Sequence, residues 1–99
     1  MSIVEDKLKA IAHEGRRAML EGVLTVERSA SDLAQIGGLS RPAASQHLAL
    51  LLDAGLMTVR RDGRRRWYRA DPLALDQLRR DLDVFWTGRL QALKEAAES

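Results

Sequence analysis

The stretch that decides the fold is Ser29–His47, SASDLAQIGGLSRPAASQH. Ser29 can accept a hydrogen bond from an early backbone N–H of a helix, and Asp32 stabilises the same helix end through the helix dipole. Gly37 and Gly38 can supply the positive φ at which a helix ends in a tight turn. Ser40 is a second N-cap candidate directly after that turn. The stretch therefore predicts a helix, a tight glycine turn and a second helix.

The two helices of this stretch have predictable ends. The first runs through Ile36, where the glycines begin. The second holds Pro42 in its first turn, where the missing N–H costs little, runs to about Ala54, and stops at Gly55. Its apolar stripe, expected to face the core, consists of Ala44, Leu48, Leu51 and Leu52.

Two short helices are predicted before this stretch, because apolar residues recur there at helical spacing. The first covers residues 3–12, and the second carries Ala18, Met19, Val23 and Leu24. We place the break between them at residues 13–15, His-Glu-Gly, since glycine inside a helix costs about 1 kcal/mol relative to alanine.

Beyond Gly55 the apolar period changes from helical to alternating, which is typical of a strand. Asp62-Gly63 is a strong two-residue hairpin signal, and the aromatic pair that follows favours a returning strand. We therefore predict a β-hairpin with one face in the core and Trp67 packing on the other. The expected core face carries Met57, Val59 and Tyr68, and the opposite face Arg60, Arg65 and Trp67.

Pro72 opens a long helix over residues 72–97 whose apolar residues follow a three-four spacing. At 1.5 Å per residue this helix spans roughly 39 Å, longer than so small a domain needs for itself. We expect part of its apolar stripe to pack against a second copy of the chain. The predicted interface residues of this helix are Leu78, Leu82, Phe85, Trp86, Leu90 and Leu93.

The composition indicates one domain, residues 1–99, with an aliphatic interior. Hydrophobic residues make up 45% of the chain but aromatic residues only 4%, so leucine, isoleucine, valine, methionine and alanine must fill the core. The expected fold class is mainly α with a β-hairpin, in the order α1-α2-α3-α4-β-β-α5.

Several classes of protein are excluded by what the sequence lacks. It contains no cysteine, so disulfides, thiolate metal sites and thiol redox sensing are not expected. His13 and His47 are its only imidazoles, too few for a transition-metal site, and we expect no metal and no cofactor. No stretch approaches the ~18 apolar residues of a membrane span. We expect a cytoplasmic protein without membrane contact.

The net charge of +2 is small, but the basic residues are concentrated. Six arginines lie within ten residues around the predicted hairpin turn, whereas residues 71–99 hold six acidic against four basic side chains. This asymmetry indicates that the hairpin faces a polyanion and the last helix does not. The clustered arginines are Arg60, Arg61, Arg64, Arg65, Arg66 and Arg69.

The predicted order of elements is that of a winged helix-turn-helix. A helix fits the major groove of DNA, and a basic hairpin beside it can follow the phosphates or enter the minor groove. On the fourth helix, Arg41 can pair with guanine and Gln46 with adenine, while His47 is expected at a phosphate. The predicted DNA-binding residues are Ser40, Arg41, Ala43, Ser45, Gln46, His47, Arg64, Arg65 and Arg66.

At these residues the sequence resembles the ArsR/SmtB family of bacterial repressors. The most specific part is the run Leu-Ser-x-Pro-x-x-Ser-x-His-Leu at residues 39–48, followed by the hairpin Asp-Gly-Arg-Arg-Arg-Trp-Tyr at residues 62–68. Weaker matches are Arg16-Arg17, residues 31–34 and residues 53–56. The resemblance covers nearly the whole chain.

The resemblance implies a homodimer that binds an inverted-repeat operator in double-stranded DNA and represses transcription. It also implies that the first helix, residues 3–12, and the last, residues 72–97, form the dimer interface, which adds Val4, Leu8 and Ile11 to the predicted interface residues. Many members of the family release DNA when a metal binds, but here the third helix has no cysteine and the last helix no histidine. We therefore do not expect metal sensing through cysteines. An unidentified small-molecule effector is left open as a partner.

Two other functions compete with repression. The alternative hypothesis is a winged-helix interaction module, in which the same arginines of the hairpin bind an acidic protein. An enzyme has little support, because the sequence shows no nucleophile beside a base, no phosphate-binding glycine loop and no metal cluster.

Overall fold

The order of elements is the predicted one. A computed structural model describes residues 3–98, apart from the side chains of Ile3 and Phe85. Five helices and one hairpin follow one another as α1-α2-α3-α4-β1-β2-α5, and the two strands form an antiparallel sheet. The elements are α1 (Ile3–Ile11), α2 (Glu14–Glu21), α3 (Ala30–Gly37), α4 (Arg41–Asp53), β1 (Met57–Asp62), β2 (Arg65–Ala70) and α5 (Pro72–Glu98).

The junction between α1 and α2 differs from the prediction. His13 is the N-cap of α2, and its Nδ1 accepts a hydrogen bond from the backbone N–H of Arg16 at 3.3 Å. Gly15 is buried inside the first turn of α2, where a Cβ atom would lie 3.0 Å from the His13 ring and 3.3 Å from Leu39. The glycine therefore permits close packing and does not break the helix. The break predicted at residues 13–15 lies instead at Ala12 and His13, and the N-cap His13, not the glycine, marks it.

The end of α2 also lies earlier than predicted. The helix ends at Glu21, so Val23 and Leu24 belong to the following loop. Val23 is nevertheless completely buried, whereas Leu24 is exposed. A buried residue in a loop carries the same sequence signal as one on a helical stripe, and only packing distinguishes them.

The core is aliphatic, as the composition predicted. It lies where α2, α3 and α4 meet the base of the hairpin, and among the described residues it holds no buried polar or charged side chain. Tyr68 is the aromatic member of this cluster. The largest fully buried side chains are Met19, Leu33, Leu48, Leu51, Leu56 and Val23.

The hairpin has the predicted faces but a different turn. Asp62 pairs with Arg65, so the turn is Gly63-Arg64, with Gly63 at φ 62°. This register differs from the predicted one by two residues, and a shift of two leaves every side chain on its face. Met57 and Tyr68 are buried, but Val59 is 42% exposed, contrary to the prediction. Val59 lies on the outer strand, whereas the backbone of Arg28 pairs with Tyr68 along the other edge of β2.

The last helix extends beyond the rest of the molecule. Asp71 begins it, accepting hydrogen bonds from the backbone N–H groups of Leu73 and Ala74 at 3.1 and 3.3 Å. Leu78 is buried in the core, and the helix is mostly exposed beyond Leu82. The molecule measures 62 × 25 × 24 Å as a result. None of the described helices is both long and apolar enough to cross a membrane.

Candidate nucleic-acid interface

The helix-turn-helix is formed by α3, a tight turn and α4. Ser29 accepts a hydrogen bond from the N–H of Asp32 at 3.2 Å, and Ser40 accepts one from the N–H of Ala43 at 3.3 Å. Between the two caps, Gly38 adopts the left-handed conformation, φ 64°, that a side chain would strain. Both predicted caps and the glycine turn are confirmed.

The side chains of α4 divide between the core and the surface. Ala44, Leu48 and Leu51 are buried beneath the helix. Residues three or four positions apart lie on one face of a helix, so the residues between the buried ones face elsewhere. Arg41, Ser40, Ser45 and Gln46 are exposed, and Ala43 is half-buried. The helix therefore presents a polar surface beginning at its N-terminus.

The hairpin is fastened to the body by both strands. The backbone N–H and carbonyl of Arg28, in the loop after α2, exchange hydrogen bonds with Tyr68 of β2 at 3.0 and 2.9 Å. The Glu27 carboxylate accepts two hydrogen bonds from the Arg60 guanidinium of β1, at 3.0 and 3.1 Å. These bonds, led by the hydrogen bonding of Arg60, lower the pKa of Glu27. Arg60 thus belongs to the anchor of the hairpin.

A cleft of about 680 Å³ separates the hairpin from the helix-turn-helix. On one wall, the Arg41 guanidinium donates a hydrogen bond to the hydroxyl of Ser31 on α3. Arg64, Arg65 and Arg66 are exposed on the other wall, and no ion pair involves them within residues 3–98. The structure therefore brings five predicted site residues together around one basic opening, namely Arg41, Ser45, Arg64, Arg65 and Arg66.

His47 lies apart from this cleft. It is half-buried against the α1–α2 junction, where its Nδ1 lies 3.0 Å from Nη1 of Arg16 and its ring centroid 4.3 Å from that of His13. Burial, followed by the neighbouring His13 and Arg16 charges, lowers the pKa of His47. The contact with Arg16 joins residues 31 positions apart, and no local sequence pattern predicts such a pair.

The sequence analysis did not identify Ser31 and Glu27 as residues of this region. Ser31 lines the cleft beside Arg41, and Glu27 anchors Arg60 across 33 positions. Trp67, predicted to pack, is half-buried on the cleft wall, and its indole N–H is buried without a hydrogen-bond partner among the described residues. Ser31 follows the N-cap Ser29 by two residues, a spacing that places it at the same helix end.

The predicted interface residues fall into two groups. Val4, Ile11 and Leu82 are half-buried against the core, and Leu78 is buried within a single chain. Leu8, Trp86, Leu90 and Leu93 expose between 36% and 65% of their surface. The side chain of Phe85 lies outside the described residues. The exposed group therefore forms an apolar surface along α1 and the outer part of α5.

No cluster of three metal-binding side chains occurs in residues 3–98, counting histidine, cysteine, aspartate and glutamate. His13 and His47 do meet, but their rings stack and their Nδ1 atoms both accept hydrogen bonds from Arg16. The chemistry that the site offers is therefore that of guanidinium groups, hydroxyls, an amide and a helix N-terminus.

Comparison with known proteins gives the family. The model of the bacterial regulatory proteins of the arsR family matches residues 13–59, from α2 into β1. An HTH-type transcriptional regulator of Mycobacterium tuberculosis, Rv2034, is 41% identical over 91 residues, which are 92% of this chain and 85% of that protein. The arsenical resistance operon repressor of Staphylococcus aureus is 28% identical over 92 residues, 93% of this chain and 88% of the repressor.

A solved structure agrees with these relatives. The homodimeric winged helix-turn-helix DNA-binding domain of Mb0332 from Mycobacterium bovis is 28% identical and superposes with a TM-score of 0.69, over 91% of this chain and 83% of that one. The relatives are regulators of transcription and not enzymes. The chain therefore belongs to the ArsR family, and it is a transcriptional regulator with a winged helix-turn-helix DNA-binding domain.

Proposed function

We propose that the protein is a homodimeric repressor that binds an inverted-repeat operator in the cytoplasm. The observation that supports this most directly is the basic cleft, in which the N-terminus of α4 and the arginines of the hairpin face the same opening. A helix in the major groove and a basic hairpin on the adjacent backbone need this arrangement.

Base recognition is assigned to Arg41, Ala43, Ser45 and Gln46 of α4. Arg41 can donate two hydrogen bonds to guanine, Gln46 can pair with adenine, and Ala43 can contact the methyl group of thymine. Ser45 lies on the same wall of the cleft as Arg41. In the free protein Arg41 is bonded to Ser31, so binding exchanges that hydrogen bond for one to a base.

Phosphate binding is assigned to the hairpin and to the N-terminus of α4. The guanidinium groups of Arg64, Arg65 and Arg66 are exposed and free of ion pairs within the described residues, so no internal partner has to be displaced. The helix end capped by Ser40 can bind a phosphate through its free N–H groups and its dipole. These contacts supply affinity that is independent of sequence.

The dimer is assigned to the apolar surface of α1 and α5. The Mycobacterium bovis domain is homodimeric, and in this chain Leu90 and Leu93 on α5 remain 58% and 65% exposed. A second copy packed there would bury them, with Leu8 and Trp86. It would also align the two reading helices, α4 of each copy, with two half-sites. Val4, Ile11, Leu82 and Phe85 complete the proposed interface, while Leu78 supports it from the core.

The signal that controls DNA binding is proposed to act without cysteine. The Staphylococcus aureus relative is a repressor of an arsenical resistance operon, but this chain has no thiol with which to bind arsenic or mercury. A dimer seated on an operator blocks access to the promoter, so release of DNA by another kind of effector would switch transcription on.

DNA binding by the purified protein tests the proposal. The probe is the DNA upstream of its own coding sequence, titrated at several salt concentrations against random competitor DNA. We expect saturable binding to a palindromic segment that survives the competitor. Equal, weak binding to all sequences would contradict the proposed repressor function. It would favour the winged-helix interaction module that binds an acidic protein.

A further inference from the structure

Arg16, in the first turn of α2, joins three parts of the chain. Its Nε and Nη2 donate hydrogen bonds to the carbonyl oxygens of Ala10 and Lys9 at 2.6 and 3.0 Å. These carbonyls belong to the last turn of α1, and that of Lys9 also accepts a hydrogen bond from the N–H of Ala12 at 3.2 Å. Nη1 lies 3.0 Å from Nδ1 of His47 on α4. One guanidinium group therefore links the end of α1 to the reading helix.

The chemistry of this link defines the protonation state of His47. A guanidinium group is only a donor, so Nδ1 of His47 must accept and cannot carry a proton. In an imidazolium both ring nitrogens are donors. Protonated His47 would therefore turn an N–H toward the Arg16 donor and place a second positive charge beside it.

The surroundings of His47 do not stabilise its charged form. His13 stacks on it with ring centroids 4.3 Å apart and a tilt of 32°, and burial, His13 and Arg16 together lower the pKa of His47. A cavity of about 270 Å³ beside Arg16 separates α1 from the C-terminal end of α4. Further charged groups near this junction are Asp6 and Lys9 of α1, Glu14 and Arg17 of α2, and Asp53 of α4.

We propose that Arg16 is a positioning residue for DNA binding, which holds α4 through His47 against the end of α1. Protonation of His47 breaks this contact, so that α4 shifts from α1 while Ala44, Leu48 and Leu51 stay in the core, and this release of α4 weakens operator binding. The inference rests on the DNA-binding function proposed above. Because α1 also belongs to the proposed dimer interface, the same link would set the orientation of the reading helix relative to the dimer.

The sign of the pH dependence distinguishes this role from simple electrostatics. A proton added near the DNA-binding surface raises the positive charge and would strengthen binding to DNA as the pH falls. Release of α4 predicts the opposite. A lowered pKa means that the folded protein disfavours protonated His47. Neutral His47, bonded to Arg16, therefore dominates at neutral pH, and this state is lost as the pH falls below the pKa of His47.

The test measures operator affinity of the full chain between about pH 7.5 and about pH 5.5, at constant ionic strength. We expect wild-type affinity to fall about fivefold or more over this range, the scale of a typical coupling between sites. The helical circular dichroism signal should stay constant, which separates release of α4 from unfolding.

Three variants test whether the loss of operator affinity at low pH comes from His47. His47→Asn places an acceptor oxygen near the position of Nδ1 and does not titrate, so whatever its affinity at neutral pH, that affinity should not fall on acidification. His13→Asn keeps the N-cap acceptor of α2 and removes only the other imidazole, so the acid effect should persist. Arg16→Lys cannot bridge the three acceptors and should weaken binding at every pH.

A separate spectroscopic result is also required. A long-range proton–nitrogen NMR spectrum at neutral pH should show the proton of His47 on Nε2, and a proton on Nδ1 would overturn the inference. So would wild-type binding that strengthens or stays constant on acidification, an acid loss of the same size in His47→Asn, or a parallel loss of helical signal. Absence of operator preference at every pH would instead overturn the proposed function.

Discussion

Three consecutive residues of α4 face three different surroundings. Gln46 is exposed, His47 is half-buried against Arg16, and Leu48 is buried in the core. Each step along a helix turns the side chain by about 100°, so neighbours in sequence do not share a role. The polar residues assigned to base contacts, Arg41, Ser45 and Gln46, are accordingly ones whose side chains remain exposed.

Replacing Gln46 with alanine tests this assignment. We expect Gln46→Ala to relax the preference for one base pair of the operator by about 1–3 kcal/mol, since a bidentate pair is lost, with little change in binding to random DNA. Competition with operators altered at single positions measures this. Gln35→Ala is the matched control, because Gln35 is an exposed glutamine on α3 outside the cleft. Equal loss for all sequences would contradict the assigned role.

At the scale of elements, the hairpin combines an anchored base with a free tip. Glu27 fixes Arg60 of β1, and the backbone of Arg28 continues the sheet beside β2. The tip carries Arg64 and its neighbours, which have no such partner within residues 3–98. Within the arginine cluster, Arg60 is therefore structural, whereas Arg64, Arg65 and Arg66 are available to a ligand.

Neutralising the tip should weaken binding to every sequence. For Arg64→Ala or Arg65→Ala we expect lower affinity for operator and random DNA alike, and a salt dependence whose logarithmic slope falls by about 0.9 for each lost phosphate contact. Titration at several salt concentrations measures the slope. Arg79→Ala removes the same charge from α5, where Arg79 pairs with Asp76 and Asp83, and should leave the slope unchanged.

Releasing the base of the hairpin should reduce specificity. Glu27→Gln removes a negative charge near the DNA, which favours binding to all sequences, but it also frees Arg60 and the orientation of β1. We therefore expect the ratio of operator affinity to random-DNA affinity to fall. Glu21→Gln removes the same charge from the exposed end of α2. An identical ratio in the two variants would show that the ion pair does not position the hairpin.

At the scale of the whole molecule, the shape indicates a partner. The chain extends over 62 Å because α5 continues past the core that its first turns help to form. The outer half of α5 keeps large apolar side chains in solvent, and a chain of this size has little core to compensate for that exposure. A second copy packed along α5 would cover the exposed apolar side chains and would enlarge the small core.

Replacing two leucines of α5 tests the dimer. We expect Leu90→Ser with Leu93→Ser to sediment as a monomer at concentrations where the wild-type chain is a dimer, and to lose the concentration dependence of Tm. Leu73→Ser is the matched control, since Leu73 lies on the same helix and is 81% exposed, but near its start. If the double variant stays dimeric, the outer part of α5 is not the interface.

Local features were predictable because their partners lie within a few residues. The caps at Ser29 and Ser40 each need only an N–H three positions ahead, and the left-handed Gly38 needs only the absence of a side chain. The same holds for the faces of the hairpin, where alternation survived an error in the turn. Most residues of the cleft were therefore predictable as well, because these local elements bring Arg41 and the arginines of the hairpin tip to the surface.

The sequence by itself thus determined the order of the elements, the caps and glycine turn of the helix-turn-helix, and the residue types that we propose to contact DNA. Only the tertiary structure decided that Gly15 packs beneath Leu39, that Glu27 holds Arg60 and that Arg16 holds His47. The physical reason is separation along the chain: a bond over three residues depends on local φ and ψ, whereas bonds over 31 and 33 residues exist only once the core has set the helices and the hairpin against one another.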